Sequence, residues 1–225
     1  MTDAGHSSAS GGVWKNWTYW FWRHLSRLLN EALFNLRVHG EENVPLTGGL
    51  VLAANHASFL DPHAIAVSCP RKVYSLARKS LFSHPVGAAF MRGWNTMPVD
   101  LSGKPDIGGV KALLDVLGRG EVVVLYPEGT RTWDGNFQPA KPGVGLLVAK
   151  ANVPVVPVRI FGSYELWPRT RKWFRCGQLD LAFGVPVRYD RMVAEAKAQG
   201  GRAAKEVYQK IADDVMERIK EIPRP

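Results

Sequence analysis

LVLAANHASFLDP, residues 50–62, decides the fold of this chain. LVLAAN is an apolar run closed by an asparagine, the pattern of a strand buried on both faces. Asp61 before Pro62 is an ordinary helix start, with Asp at the N-cap and Pro at the first helical position. The loop between them carries His56, just past the strand's C-terminal end, where α/β folds commonly place ligands.

The same alternation continues outward. Short apolar runs predict strands near 36–39, 50–54, 73–76, 122–126, 155–160 and 179–183. Helical patterns fall near 62–68, 105–118 and 143–151. A last helix over 201–221 carries Val207, Ile211, Val215 and Ile219 at four-residue steps. Such alternation predicts an α/β fold, a central mixed β-sheet flanked by helices. The prolines of VPVVPV (153–158) suit a strand's edge or start better than its centre.

The composition is globular: 46% of residues are hydrophobic and 22% charged. A net charge of +9 favours anionic partners, among them nucleic acid, an anionic membrane and a phosphorylated substrate. Cys69 and Cys176 lack metal or redox spacing and read as free thiols of a reducing compartment. No metal site is expected. Residues 1–12 are small and polar, a frayed tail without the marks of a cleavable leader. No run approaches the roughly 18 apolar residues of a spanning helix.

Residues 13–36 stand apart. Four of the eight tryptophans, Trp14, Trp17, Trp20 and Trp22, cluster there. Read as a helix, Trp14, Trp17, Phe21, Leu25, Leu28, Leu29 and Leu33 share one face, with Lys15, Arg23, Arg27 and Glu31 beside it. Aromatics at one end and cations along the flank fit an amphipathic, membrane-associated helix lying in the interface plane. The competing reading is a helix whose aromatics serve the core. The remaining residues, 37–225, form the α/β domain.

His56 and Asp61 support two compatible readings. A neutral imidazole takes a proton from an alcohol near neutral pH, and a carboxylate on its far nitrogen fixes the tautomer and stabilises the imidazolium. The alternative is a loop histidine next to a helix cap, the commoner case for such a pair taken alone. YPEGTR (126–131) follows another apolar run. Glu128 suits a polyol hydroxyl, and Arg131 a phosphate. A surface turn with an exposed ion pair would read the same way. WPRTRKWFR (167–175) interleaves Arg169, Arg171, Lys172 and Arg175 with aromatics. That pattern serves an anionic lipid, an acyl donor's phosphates, single-stranded nucleic acid or plain solvation.

NHASFLD resembles the N-H-x-x-x-x-D signature of the glycerolipid acyltransferases, the lysophosphatidic acid acyltransferase type. YPEGTR is similar to their P-E-G-T-R block and VPVVPV to their V-P-[VI]-[VI]-P-V block, in the same order. The resemblance implies transfer of a fatty acyl group from acyl-CoA or acyl-ACP, a co-substrate and not a cofactor, to a glycerol hydroxyl of a lysophospholipid. It implies His56 as general base, Asp61 as its orienting partner, and Glu128, Gly129, Thr130 and Arg131 around the acceptor. LARKSLF (76–82) is similar to an A-K-x-x-L segment and puts Lys79 at the site. One position departs: where the family has an arginine in V-D-R, this chain reads MPVDLSGK (97–104), with Leu101. Lys104 or Lys141 would then supply the missing cation, or the acceptor is a different lipid. The resulting expectation is a peripheral enzyme on the cytoplasmic face of an anionic membrane, with no nucleic-acid partner. The alternative is a non-catalytic membrane-binding module.

Overall fold

The structure, a computed structural model, describes residues 12–100 and 107–225, with side chains from Tyr19 onward. Leu101 and Lys104 lie outside the described residues, as do the side chains of Trp14 and Trp17. Seven strands form one mixed sheet: β1 (Arg37–His39), β2 (Leu50–Ala54), β3 (Val73–Arg78), β4 (Thr96–Val99), β5 (Val122–Leu125), β6 (Val155–Phe161) and β7 (Asp180–Phe183). Their order across the sheet is β1-β7-β6-β2-β5-β3-β4. All neighbouring pairs are parallel except β6 with β7. β4 pairs with β3 along Ser75–Arg78 and has no counterpart among the strands expected from sequence.

β2 is the hub. All five of its residues are buried, as a parallel strand covered on both faces requires. Leu50, Leu52 and Ala54 face one core, shared with α2 (Asp61–Ser68) and the end of α1 (Gly12–Phe34). Val51 and Ala53 face the other. That second core is closed by α4 (Ile107–Gly118), α5 (Gly143–Ala151), α7 (Asp190–Gln199) and α8 (Gly201–Glu221). α8 buries Val207, Ile211, Val215 and Ile219, the stripe visible in its sequence. It crosses α5 so closely that a Cβ on Gly145 would lie 1.9 Å from the carbonyl oxygen of Tyr208. The short helices α3 (Pro85–Gly93) and α6 (Ser163–Leu166) complete the set.

Pro157 corrects the expectation that proline belongs at an edge. It lies within β6, between β2 and β7, in register with Ala53. A residue's N–H and C=O point to the same side of a strand. The Pro157 carbonyl accepts the Gly184 amide at 2.8 Å. The missing N–H therefore faces the β7 side, just beyond Phe183, where β7 has ended. The proline therefore costs only the last bond on that side, the one its N–H would have given to the Gly184 carbonyl.

α1 docks with an unusual face. Tyr19, Arg23, Asn30 and Phe34 are buried. The Arg23 guanidinium donates to the carbonyl oxygens of Ala66 and Cys69 at the C-terminal end of α2, where unpaired carbonyls favour a cation. Phe21, Trp22, Leu25, Leu28, Leu29 and Leu33 remain exposed. The inward face carries the polar anchors, and the outward face is apolar.

Candidate active site

Parallel pairing aligns the carboxyl ends of β2, β5 and β3, and the loops that leave them meet. His56 follows β2, Tyr126 to Arg131 follow β5, and Arg78 ends β3. This is the edge of an α/β sheet at which ligands are bound.

His56 Nδ1 lies 2.9 Å from Asp61 Oδ2. The same oxygen accepts the amides of Ala57 and Ser58, both at 2.7 Å. Asp61 is fully buried. Its bonds run back to the loop, not forward to the first turn of α2, so it is not the N-cap the sequence suggested; Leu60 occupies that boundary without a side-chain cap bond. The reason is geometric: the loop wraps around the carboxylate so tightly that two amides and the imidazole reach one oxygen. Three donors converge on Asp61 Oδ2; an Nδ1–H is the arrangement that bonds it, and in a neutral ring that leaves Nε2 as the acceptor.

Tyr126 stacks on His56, with ring centroids 3.9 Å apart and planes 16° from parallel. Burial pushes its phenol well above the ordinary tyrosine range, with Asp61 adding to the shift, so it stays neutral. The stack and the Asp61 bond together leave the imidazole one orientation. No signal in the sequence singled out Tyr126.

Glu128 is 2% exposed. Its Oε1 accepts the His56 amide at 2.8 Å, and its Oε2 accepts the Gln138 amide at 2.9 Å. The resemblance implies that this carboxylate lies around the acceptor; in the structure each oxygen accepts one backbone donor, which braces the His56 loop, and the residue also lines a cavity with His56. Burial raises its pKa, opposed by those two bonds. Thr132 completes the brace, its amide donating to the His56 carbonyl at 2.9 Å. Gly129 turns the chain at φ 67°, a left-handed conformation suited to glycine, and a Cβ there would meet the Lys141 stem at 3.0 Å.

His56 lines two cavities. The larger, about 520 Å³, is walled by apolar groups, among them Ala66, Val73, Leu76, Met91 and Trp94. His63 also lines it, and burial lowers its pKa to about 4, so it is neutral. Gly129, Thr130, Arg131 and Arg78 line this cavity too. Lys79 does not: it is exposed and outside the lining of both cavities. The A-K-x-x-L pattern also reads one residue earlier, with Arg78 in the place of its lysine, and Arg78 is the cation that reaches the wall. The smaller cavity, about 240 Å³, is polar and includes Asn55, Glu128 and Ser163. Among the described residues no cluster of three His, Cys, Asp or Glu side chains could hold a metal. None of the described helices is long and apolar enough to cross a membrane.

The chain is similar to known proteins in fold and in sequence. The fold matches the crystal structure of the 1-acyl-sn-glycerophosphate (LPA) acyltransferase PlsC from Thermotoga maritima, with a TM-score of 0.70 and 22% identity over 94% of this chain and 83% of that one. A 1-acyl-sn-glycerol-3-phosphate acyltransferase of Bacillus subtilis (strain 168) is 28% identical over 153 residues, 68% of this chain and 73% of that protein. The chloroplastic BAT2 enzyme of that name from Brassica napus is 29% identical over 133 residues, 58% of this chain and 38% of the relative's length. The model of the Acyltransferase family matches residues 35–161, a span that runs from before β1 to the end of β6 and holds the His56–Asp61 pair. On that match, the chain belongs to the Acyltransferase family.

Proposed function

We propose that this protein transfers a fatty acyl group from a thioester, on coenzyme A or acyl carrier protein, to the free hydroxyl of a 1-acylglycerol 3-phosphate. The observation that carries the reading is a histidine with Nδ1 held by a buried carboxylate, in the wall of an apolar cavity of about 520 Å³. Cavities of ~300–1,000 Å³ are the usual size for small organic ligands. The names of the relatives support the acceptor.

In the proposed step Nε2 of His56 takes the proton of the acceptor hydroxyl as its oxygen attacks the thioester carbonyl carbon. The tetrahedral intermediate collapses, the C–S bond breaks, and the imidazolium returns its proton to the leaving thiolate. Asp61 remains ionised and stabilises the imidazolium through the Nδ1 bond. The thioester is already activated, so the balance needs no cofactor and no covalent enzyme intermediate.

The protein works at a membrane surface in this reading. The outward face of α1 presents Phe21, Trp22, Leu25, Leu28, Leu29 and Leu33, a patch too contiguous for an ordinary solvated helix. A net charge of +9 draws it to anionic lipid.

The test is release of thiol from acyl-CoA or acyl-ACP on addition of 1-acylglycerol 3-phosphate, with phosphatidic acid identified by mass spectrometry. Wild type should turn over and His56→Ala should not, at equal far-UV circular dichroism. Equal turnover by both proteins would remove His56 from the mechanism.

A further inference from the structure

The structure assigns Arg169 to substrate binding: with Arg78 and Arg131 it forms a three-cation clamp for a phosphate at the wall of the larger cavity. This rests on the acyl-transfer reading above and adds a residue to it.

All three arginines line the cavity that His56 lines. Among the described residues none of them has a carboxylate within ion-pairing distance. Two are held in place without acids. The Arg131 guanidinium lies 3.5 Å from the Phe59 ring centroid, and that of Arg169 lies 3.4 Å from the Trp133 centroid. Arg169 Nη1 also donates to the Arg131 carbonyl at 3.0 Å. Stacking orients a guanidinium and leaves its edge donors free. Arg131 Nη1 is buried and has no hydrogen-bond partner among the described residues. Burial first, and then the Arg169 charge, lower the Arg131 pKa; the Asp61 carboxylate opposes the shift and Arg78 adds to it.

Gathering like charges in this way is costly unless an anion completes the group. A phosphate suits forked, stacked donors better than a single carboxylate does. Arg169 arrives from a different part of the chain, the WPRTRKWFR segment between α6 and β7.

The phosphate belongs either to the acceptor head group or to the donor's carrier arm, and the test separates them. Arg169→Gln and Arg169→Lys are compared with wild type using two acceptors, 1-acylglycerol 3-phosphate and 1-acylglycerol, and two donors, acyl-CoA and the phosphate-free acyl-N-acetylcysteamine thioester. Arg169→Gln should raise the KM of the phosphorylated substrate about 10- to 100-fold, the loss expected for one charge-assisted bond, with kcat within about 2-fold. Arg169→Lys should fall between the two. The penalty should disappear when the phosphate is removed from the acceptor; if it disappears only when the donor loses its phosphates, the clamp holds the donor. A penalty that persists with both phosphate-free substrates, or that falls on kcat alone, makes Arg169 a prop for the Arg131 loop and overturns the proposal. Calorimetric binding of glycerol 3-phosphate and of coenzyme A gives a readout without turnover. Tighter binding of either by wild type than by Arg169→Gln, in a protein that transfers no acyl group, would sink the acyl-transfer reading and keep the clamp. No difference for either compound would sink the clamp.

Discussion

Asp61 spends one oxygen on three donors, two of them backbone amides of the loop that carries its histidine. Position and function are therefore tied together at this residue. Asp61→Asn keeps the size and one acceptor oxygen for the three donors, but it removes the negative charge that stabilises the imidazolium and puts an amide NH2 at the buried position of Oδ1, which has no partner among the described residues. Turnover should fall roughly 100-fold or more, against total loss for His56→Ala. Steady-state kinetics on folded protein checks this, and near-wild-type activity of Asp61→Asn would leave the carboxylate a purely structural part. His63 carries a different prediction. Its folded pKa is depressed from 6.5 to about 4. As pH falls below 6.5 the unfolded chain takes up a proton that the folded one refuses. Stability should then decline between about pH 6.5 and 4 by up to ~1.4 kcal/mol per pH unit from this residue, and it should be unaffected by it above that window. Urea unfolding at pH 5 and 7 should show a shallower pH slope in His63→Leu than in wild type.

At the scale of elements, α1 joins the domain through a charge and a few large side chains. Arg23 reaches the carbonyl end of α2, and Tyr19 packs edge-on to Trp94. Arg23→Met keeps the apolar stem and loses both bonds. It should destabilise by about 1–3 kcal/mol, since two buried carbonyls lose their donor, and chemical denaturation measures that. The outward face makes the opposite prediction. Leu25→Asp with Leu29→Asp removes exposed apolar surface at two positions outside the buried core. Folding stability should change little, within ~0.5 kcal/mol for each exposed site, while flotation with anionic vesicles should drop several-fold. Unchanged flotation would take this helix out of the membrane account. Arg27, bonded to Glu41 at 2.9 Å, is a third anchor to the domain.

At the scale of the whole molecule, the larger cavity is lined by residues of β3, β4 and β5 and of the helices α2 and α3. Ala66 lies on α2 beyond Pro62 and His63, farther along the helix from His56, and it lines the apolar wall. Ala66→Phe should fill that part and shift preference toward shorter acyl donors, read from the ratio of kcat/KM for long and short acyl-CoA. An unchanged ratio would place the chain elsewhere.

Local patterns carried much of this molecule. The LVLAAN run was legible as a strand buried on both faces because parallel strands lack a polar side, and the α8 stripe was legible because a helix with one buried face repeats its apolar residues. β4 was missed because TMPV is short, lies at the sheet's edge and contains proline, so it shows no period. α3 and α7 escaped for a related reason: α3 buries Ala88 alone, and α7 buries only Val193 and Ala196, too few positions to mark a stripe.

By itself the sequence determined which loops hold reactive groups, because the strand ends and the residues after them are written in order along the chain. Tertiary structure alone decided what each of those groups meets. Glu128 turned inward to brace two amides, Arg78 reached the cavity where Lys79 did not, and Arg169 came to Arg131 from 38 residues away in sequence. The reason is physical. A side chain's partner is set by distances between segments remote along the chain, and those distances exist only after the sheet has aligned its strand ends.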